Sequence, residues 1–183
     1  MTPPPLHTER LRLTSYTPAD EEDFVRLFQD SRVSRWMGDG PSSEAEDRAL
    51  FGRIFSKVYA QRLFDVWAVR LAGADAPGRY VGHAEIKHTD TVDGYEVVYA
   101  LAAEAWGGGL GTEVAGALLA HGFGTLGLAE VHATVAAPNS ASLALLARVG
   151  FVPVRDIVED DGSTTQVLTL RRAAWGHGPS RRP

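Results

Sequence analysis

The chain has 183 residues, a net charge of −5 and no cysteine. The missing cysteines exclude disulfides, thiolate metal sites and a cysteine nucleophile, and an acidic balance without a single-sign block argues against nucleic-acid partners. No run of eighteen apolar residues is present, and the N-terminus lacks the basic and apolar regions of a secretory signal, which argues against a membrane location. We expect one cytoplasmic domain over residues 1–183, with its core at about 8–171 and a flexible tail over 175–183.

The first third of the chain predicts one strand followed by helices. Leucines alternate with arginines at about residues 8–14, which favours a half-buried strand. Thr17 is typical of a helix N-cap, because a proline and then apolar residues at helical spacing follow it. A second long helix is predicted from Ser42 or Ser43 to about residue 59.

The middle of the chain predicts three strands at about residues 64–71, 79–87 and 95–102. The turns between them are short, and the Asp93-Gly94 dipeptide is typical of a tight hairpin connection. The three strands therefore indicate an antiparallel meander.

The last third alternates helices and strands. A helix is predicted over residues 110–126, although its three internal glycines weaken the prediction of its length. A strand at 129–136, a helix at 139–148 and a closing hairpin at 151–170 follow. The pattern indicates an α+β fold, with no internal repeat and no linker.

The segment Trp106-Gly107-Gly108-Gly109-Leu110-Gly111-Thr112 lies between a predicted strand and a predicted helix. Glycines allow close approach of a phosphate, and the first amides of a helix attract anions. The segment lacks the Lys-Ser/Thr end of a P-loop and the last glycine of a dinucleotide-binding fingerprint. It predicts a different phosphate-bearing ligand; the alternative is a flexible glycine loop without a ligand.

A second informative segment begins at Asn139. Asn139-x-x-Ser142 opens a short helix that ends before Gly150-Phe151. By spacing alone, this segment favours a purely structural interpretation, a capped helix between two strands.

Together and in this order, the two segments resemble the GNAT superfamily of N-acetyltransferases. The opening Thr8-Glu9-Arg10-Leu11-Arg12-Leu13 and the Trp-Gly-x-Gly-x-Gly-Thr-Glu loop look like its ribosomal-protein (Rim-type) branch. The resemblance covers roughly residues 8–171. It implies a GNAT-like α+β fold with a largely antiparallel sheet of six to seven strands and about four helices.

The resemblance also implies acetyl-CoA as cosubstrate, with no metal. Trp106 stands in the first place of the family's pyrophosphate signature Q/R-x-x-G-x-G/A, and Gly108 occupies a place that is often basic. This chain therefore lacks a loop side-chain cation and relies more on backbone donors. The implied coenzyme contacts are Tyr99, Leu101, Ala102, Trp106, Gly107, Gly108, Gly109, Leu110, Gly111, Thr112, Asn139, Ser142 and Arg148.

The catalytic candidates follow from the same resemblance. Glu96 looks like the strand glutamate that serves as base in several GNAT enzymes, and Glu85 competes with it. The backbone N–H near Leu101 is the family-like oxyanion donor, and Ser142 matches the serine assigned as acid in the Rim-type branch. Leu146 stands where many members carry a tyrosine that acts as the general acid.

Two further histidines, His83 and His132, are weaker candidates for the base, because a lone strand histidine is more often structural.

Three hypotheses on function stay open at this point. In the first, the chain transfers an acetyl group to a primary amine, for example a protein N-terminal α-amine. In the second, the acceptor is a small-molecule amine such as an amino acid, a polyamine or an antibiotic. The third hypothesis is a CoA-binding regulatory module without turnover. The sequence also leaves open whether the chain forms a homodimer.

Overall fold

A computed structural model describes residues 2–38, 40–73 and 77–176. Its centre is a sheet of eight strands in the order β1-β2-β3-β4-β5-β6-β8-β7. The last residues of the predicted flexible tail, 177–183, lie outside the described ranges. The strands are β1 (Leu6–His7), β2 (Leu11–Thr14), β3 (Asp65–Leu71), β4 (Tyr80–Thr89), β5 (Gly94–Leu101), β6 (Glu130–Ala136), β7 (Val152–Val158) and β8 (Thr164–Arg171).

Within the described ranges, five α-helices pack on the two faces of this sheet: α1 (Glu21–Gln29), α2 (Ser31–Ser34), α3 (Glu44–Arg53), α4 (Leu110–Ala120) and α5 (Ser140–Val149). The apolar residues of α1 and α3 bury Val66, Ala68 and Ala100 on one face. Those of α4 and α5 join the larger core on the other face, where Trp67 and Ile86 are fully buried. The sheet therefore separates two hydrophobic clusters.

The predicted α+β fold and the antiparallel meander of β3, β4 and β5 are confirmed. The sheet has eight strands, whereas six to seven were predicted. The additional strand is the two-residue β1, which pairs with Leu13 and Arg12 of β2. Two residues are enough to extend the ladder but too few to give an alternating pattern in the sequence.

Both long helices are shorter than predicted. α3 ends at Arg53 and α4 at Ala120, and each continues as a π-helical turn, Ile54–Tyr59 and His121–Thr125. In the second turn, a Cβ on Gly122 would lie 2.9 Å from the Ile86 side chain, so the glycine allows the turn to approach the sheet. Each π-helical turn follows its regular helix directly and is too short to show a period of its own, and the sequence therefore does not reveal where the regular helix stops.

Strands β5 and β6 form the one parallel pair in the described sheet, and a single residue pair, Glu96 with His132, defines their register. Every other neighbouring pair is antiparallel and has at least two paired positions. The two strands therefore diverge beyond Glu96, which leaves one edge of the C-terminal half of β5 without a neighbouring strand.

A buried ion pair fixes the start of α1 to β3. The guanidinium of Arg70 donates to the carboxylate of Asp20, and the two residues are only 6% and 4% exposed. The Asp20 carboxylate also accepts the backbone N–H of Thr17 at 2.8 Å, which closes the predicted cap at Thr17. Since both charges are desolvated, each depends on the other for compensation.

We expect Arg70→Met to lower the free energy of unfolding by about 3–5 kcal/mol, because it leaves the Asp20 carboxylate buried and unpaired. The matched control is Arg12→Met, since within the described ranges the one hydrogen bond of the Arg12 side chain is to the Gly73 carbonyl, at 3.2 Å; its effect should stay within about 0.5 kcal/mol. Urea denaturation measures both values. Equal losses in the two variants would contradict the importance of the buried pair.

Candidate active site

The edge of β5 that faces the gap carries free backbone groups. Leu101 pairs with Gly82 of β4, whereas the N–H of the next residue, Ala102, donates to the Val81 carbonyl at 2.9 Å. In an antiparallel ladder, successive residues alternate between pointing toward and away from the neighbouring strand. The N–H groups of Tyr99 and Leu101 therefore point away from β4, into the gap beside β6.

The glycine-rich loop begins directly after this edge. Gly107 and Gly109 both have φ of +80°, a conformation that glycine adopts without steric cost, and Gly109 is the N-cap of α4. Residues 106–109 are exposed, and a Cβ on Gly107 or Gly108 would meet no atom within 4 Å. The loop thus presents unobstructed backbone, together with the first amides of α4, to solvent.

Trp106 links this loop to the strand. Its indole N–H donates to the Leu101 carbonyl at 2.8 Å, while the residue as a whole is 47% exposed. This hydrogen bond satisfies the carbonyl of Leu101. The N–H of Leu101 is then the polar backbone group of this residue that is directed at the gap.

The other anchor of the loop comes from the N-terminal strands and was missed by the sequence analysis. Arg10 donates to the Gly108 carbonyl at 2.8 Å and to the Glu113 carboxylate at 2.8 Å. The Thr8 hydroxyl donates to the same carboxylate. In the sequence the opening segment and the loop are two separate motifs, yet the structure joins them. The only sequence signal for this contact is that both segments resemble the same family.

On the other side of the gap, α5 brings two of the predicted residues together. The Asn139 side-chain oxygen accepts the backbone N–H of Ser142 at 3.2 Å, so the expected cap is present. The Ser142 hydroxyl lies 3.4 Å from the Tyr99 hydroxyl. Burial raises the pKa of Tyr99 above its usual value, more than the contact with Ser142 lowers it. This phenol stays protonated at neutral pH and is able to donate.

Two other positions of α5 lie away from this pair. Leu146 is fully buried in the core, which explains an apolar residue in the place of the family's tyrosine. Arg148 is exposed in the last turn of α5, about 9 Å along the helix axis from Ser142 at the usual rise per residue.

Glu96 lies where β5 and β6 begin to separate. It is 7% exposed, and one carboxylate oxygen accepts both the backbone N–H of Thr134, at 3.2 Å, and the Thr134 hydroxyl. The other oxygen is 3.4 Å from the Thr89 hydroxyl, a long hydrogen bond. The carboxylate therefore bridges the two strands through one oxygen and keeps its second oxygen weakly engaged.

The competing carboxylate, Glu85, is more strongly paired. One oxygen lies 2.9 Å from Nε2 of His83 and the other 2.8 Å from the ammonium of Lys87. Burial by itself would raise the pKa of Glu85, but these two partners outweigh it and lower the pKa to about 2. A carboxylate with so low a pKa is a poor proton acceptor near neutral pH.

Both candidate histidines have structural partners. Nδ1 of His83 is 2.8 Å from the Tyr16 hydroxyl, which in turn lies 3.1 Å from the Tyr80 hydroxyl. Nδ1 of His132 is 2.8 Å from the Thr169 hydroxyl. These contacts favour the structural interpretation for both rings.

Comparison with known proteins agrees with this architecture. The model of the acetyltransferase (GNAT) domain family matches residues 10–152. The uncharacterized N-acetyltransferase YoaA from Bacillus subtilis is 30% identical over 150 residues, which cover 81% of this chain and 82% of the relative. Together these matches define an acyltransferase. The chain belongs to the GNAT acetyltransferase family.

Solved structures share the fold. The acetyltransferase from Agrobacterium tumefaciens has a TM-score of 0.77 at 23% identity, covering 94% of this chain and 96% of that one. The spermidine N-acetyltransferase from Vibrio cholerae, in complex with CoA and spermine, has a TM-score of 0.76 at 17% identity, covering 92% and 99%. The predicted GNAT fold and enzyme class are confirmed, whereas the Rim-type branch stays a prediction.

None of the helices in the described part of the chain has the length and apolar character that a membrane span requires. No group of three or more His, Asp or Glu side chains in those ranges is arranged to hold a metal ion.

We expect Glu85→Gln to remove a pH-dependent part of the stability. The folded-state pKa of Glu85 is depressed from 4.5 to about 2, so its contribution is fully present above pH 4.5 and is lost as the pH falls toward 2. At pH 7 this contribution is about 3–4 kcal/mol. Unfolding measured between pH 7 and pH 2.5 should show the wild-type and variant curves converging at the acid end. Parallel curves would contradict the assigned pKa.

Proposed function

We propose that the protein transfers the acetyl group of acetyl-CoA to a primary amine, by direct attack within a ternary complex. The open edge of β5 carries the proposal, because it ends at a loop of unobstructed backbone amides. An extended pantetheine arm needs such an edge, and a diphosphate needs donors at its end.

The coenzyme contacts that we propose divide into three groups. Residues 106–112 hold the diphosphate, the strand edge from Tyr99 to Ala102 lies along the pantetheine, and Asn139 with the helix from Ser142 to Arg148 flanks it. The exposure of residues 106–109 and the direction of the Leu101 N–H, which points away from β4, support the first two groups. The exposed position of Arg148, at the far end of α5, gives the weakest support.

The proposed chemistry makes a C–N bond and breaks the thioester C–S bond. The Leu101 N–H stabilises the oxyanion that forms between these steps; a donor of this kind contributes about 3–4 kcal/mol. Glu96 takes a proton from the amine, directly or through water, and Ser142 returns one to the departing thiolate. The neighbouring Tyr99 hydroxyl supports this last role, since it is able to supply Ser142 with a proton.

The cost of deprotonating the amine separates the classes of acceptor. A lysine-like amine with a pKa of about 10.4 is neutral only about once in 2,500 molecules at pH 7, which costs roughly 4–5 kcal/mol. An α-amine with a pKa near 8 costs only about 1.4 kcal/mol. One oxygen of Glu96 is already bonded to Thr134, so only the other oxygen is available to accept a proton. We therefore favour the acceptor that is easier to deprotonate, an α-amine, for example a protein N-terminus.

The acceptor is proposed to approach from the side of the first three helices. Arg32 of α2 lies 2.8 Å from Glu104, in the turn that follows β5, and so connects this helical layer to the candidate site. A polyamine is the competing acceptor, because the Vibrio cholerae relative is a spermidine N-acetyltransferase with spermine bound.

Titration calorimetry with acetyl-CoA, followed by thiol-release assays, tests the proposal. The acceptor panel contains peptides with free N-termini, the same peptides with blocked N-termini and an internal lysine, and spermidine. We expect binding of acetyl-CoA and release of CoA with the free α-amines. Turnover with spermidine alone would identify a small-molecule enzyme, and the absence of acetyl-CoA binding would overturn the proposal.

We expect Gly108→Asp to weaken acetyl-CoA binding by about tenfold, because the added carboxylate repels the diphosphate at close range. The new side chain enters open space, so the thermal midpoint should not change. Gly124→Asp is the matched control, since Gly124 is also free of neighbours but lies in the turn after α4. Gly111 is a poorer test, because a Cβ there would lie 2.7 Å from Leu145 and disturb helix packing.

We expect Glu96→Gln to lower kcat by about 10²–10⁴-fold and to leave the Kd of acetyl-CoA nearly unchanged. Glu130→Gln, on the exposed part of the neighbouring strand, is the control. An unchanged pH–rate profile in Glu96→Gln would exclude Glu96 as the base.

A further inference from the structure

The N-terminal strand segment and the glycine-rich loop are parts of one polar cluster. Arg10 contacts both the Gly108 carbonyl and the Glu113 carboxylate, although about a hundred residues of sequence separate them. We propose that Arg10 is the cation of the coenzyme-binding loop: it fixes the loop through Gly108 and directs its remaining positive charge at the diphosphate of acetyl-CoA. This inference rests on the proposed function.

The geometry of the guanidinium supports the proposal. Nη1 donates to the Gly108 carbonyl at 2.8 Å, and Nε donates to Glu113 at 2.8 Å. The third nitrogen, Nη2, lies 3.5 Å from the place where a Cβ on Gly109 would be. Across residues 2–38, 40–73 and 77–176 we find no acceptor bonded to Nη2, and the side chain is 49% exposed. One nitrogen of the fork is therefore available beside the loop amides.

The two hydrogen bonds of the side chain also explain why an arginine is needed at this position. The planar guanidinium spans a carbonyl and a carboxylate with separate nitrogens and still keeps a third, whereas a lysine ammonium is a compact point charge. The backbone N–H of Arg10 adds a further bond to Glu113 at 2.7 Å. This bond holds the strand against the helix and fixes where the side chain starts.

The charges around α4 give Arg10 a second task. Burial would raise the pKa of Glu113, but the donors of Thr8 and Arg10 outweigh it and lower the pKa, so that Glu113 is ionised. An ionised carboxylate in the first turn of α4 repels a diphosphate bound at the same helix end. The guanidinium lies between Glu113 and the loop, and therefore screens this repulsion while it supplies the charge that Gly108 cannot.

Arg10→Gln tests the inference, with Arg12→Gln, two residues further along the chain in β2, as the matched control. Calorimetry gives the Kd of acetyl-CoA and of its 3′-dephospho analogue at 25 and 500 mM NaCl. We expect Arg10→Gln to weaken both ligands about 10–100-fold at low salt, the loss expected for one charge-assisted bond to phosphate. The loss should shrink at high salt, because exposed charges are screened. Arg10→Lys should recover only part of the affinity.

The outcomes separate this inference from the proposed function. If wild-type protein does not bind acetyl-CoA, the proposed function fails. If it binds but Arg10→Gln binds equally well, only the inference fails. A loss that does not change with salt indicates a purely structural role for Arg10, and a loss confined to acetyl-CoA itself assigns Arg10 to the 3′-phosphate; either result overturns the contact with the diphosphate.

Discussion

The divergence of two parallel strands is the constraint on which the candidate site depends. β5 and β6 meet at one residue pair, Glu96 with His132, and then separate. A sheet normally satisfies each backbone N–H with its neighbour, and an interior edge without a partner is costly unless water or a ligand satisfies it. In this family member, Thr134 donates hydrogen bonds to the Glu96 carboxylate where the gap begins, and the Trp106 indole N–H donates to the Leu101 carbonyl. The remaining amides face the opening.

Two buried carboxylates on the same face of the sheet have different environments. Glu85 is compensated by His83 and Lys87, and its pKa of about 2 makes it a fixed negative charge. Glu96 receives only neutral donors, from Thr134 and Thr89. This difference in partners supports the proposal that Glu96, rather than Glu85, takes the proton from the amine.

The sequence predicted what depends on local pattern. Alternating leucines identified β2, and the glycine-rich segment marked the start of α4. Three features could not be predicted: the short strand β1, the π-helical ends of α3 and α4, and the contacts of Arg10. β1 has too few residues to show a period, and each π-helical turn follows its regular helix directly and is too short to show a period of its own. The contacts of Arg10 are long-range, and no periodicity or spacing within a short window encodes a partner a hundred residues away.

The link from Thr8 and Arg10 to Glu113 also bears on how the chain acquires its structure. The N-terminal strands leave the ribosome first, but the helix that completes their polar contacts is synthesised about a hundred residues later. Pairings of such large sequence separation close late and slow the folding of a domain. Leu11 and Leu13, both fully buried in the native protein, stay exposed until the other strands and helices of their core cluster are also present. Transiently exposed apolar side chains of this kind make a partly synthesised chain prone to aggregation.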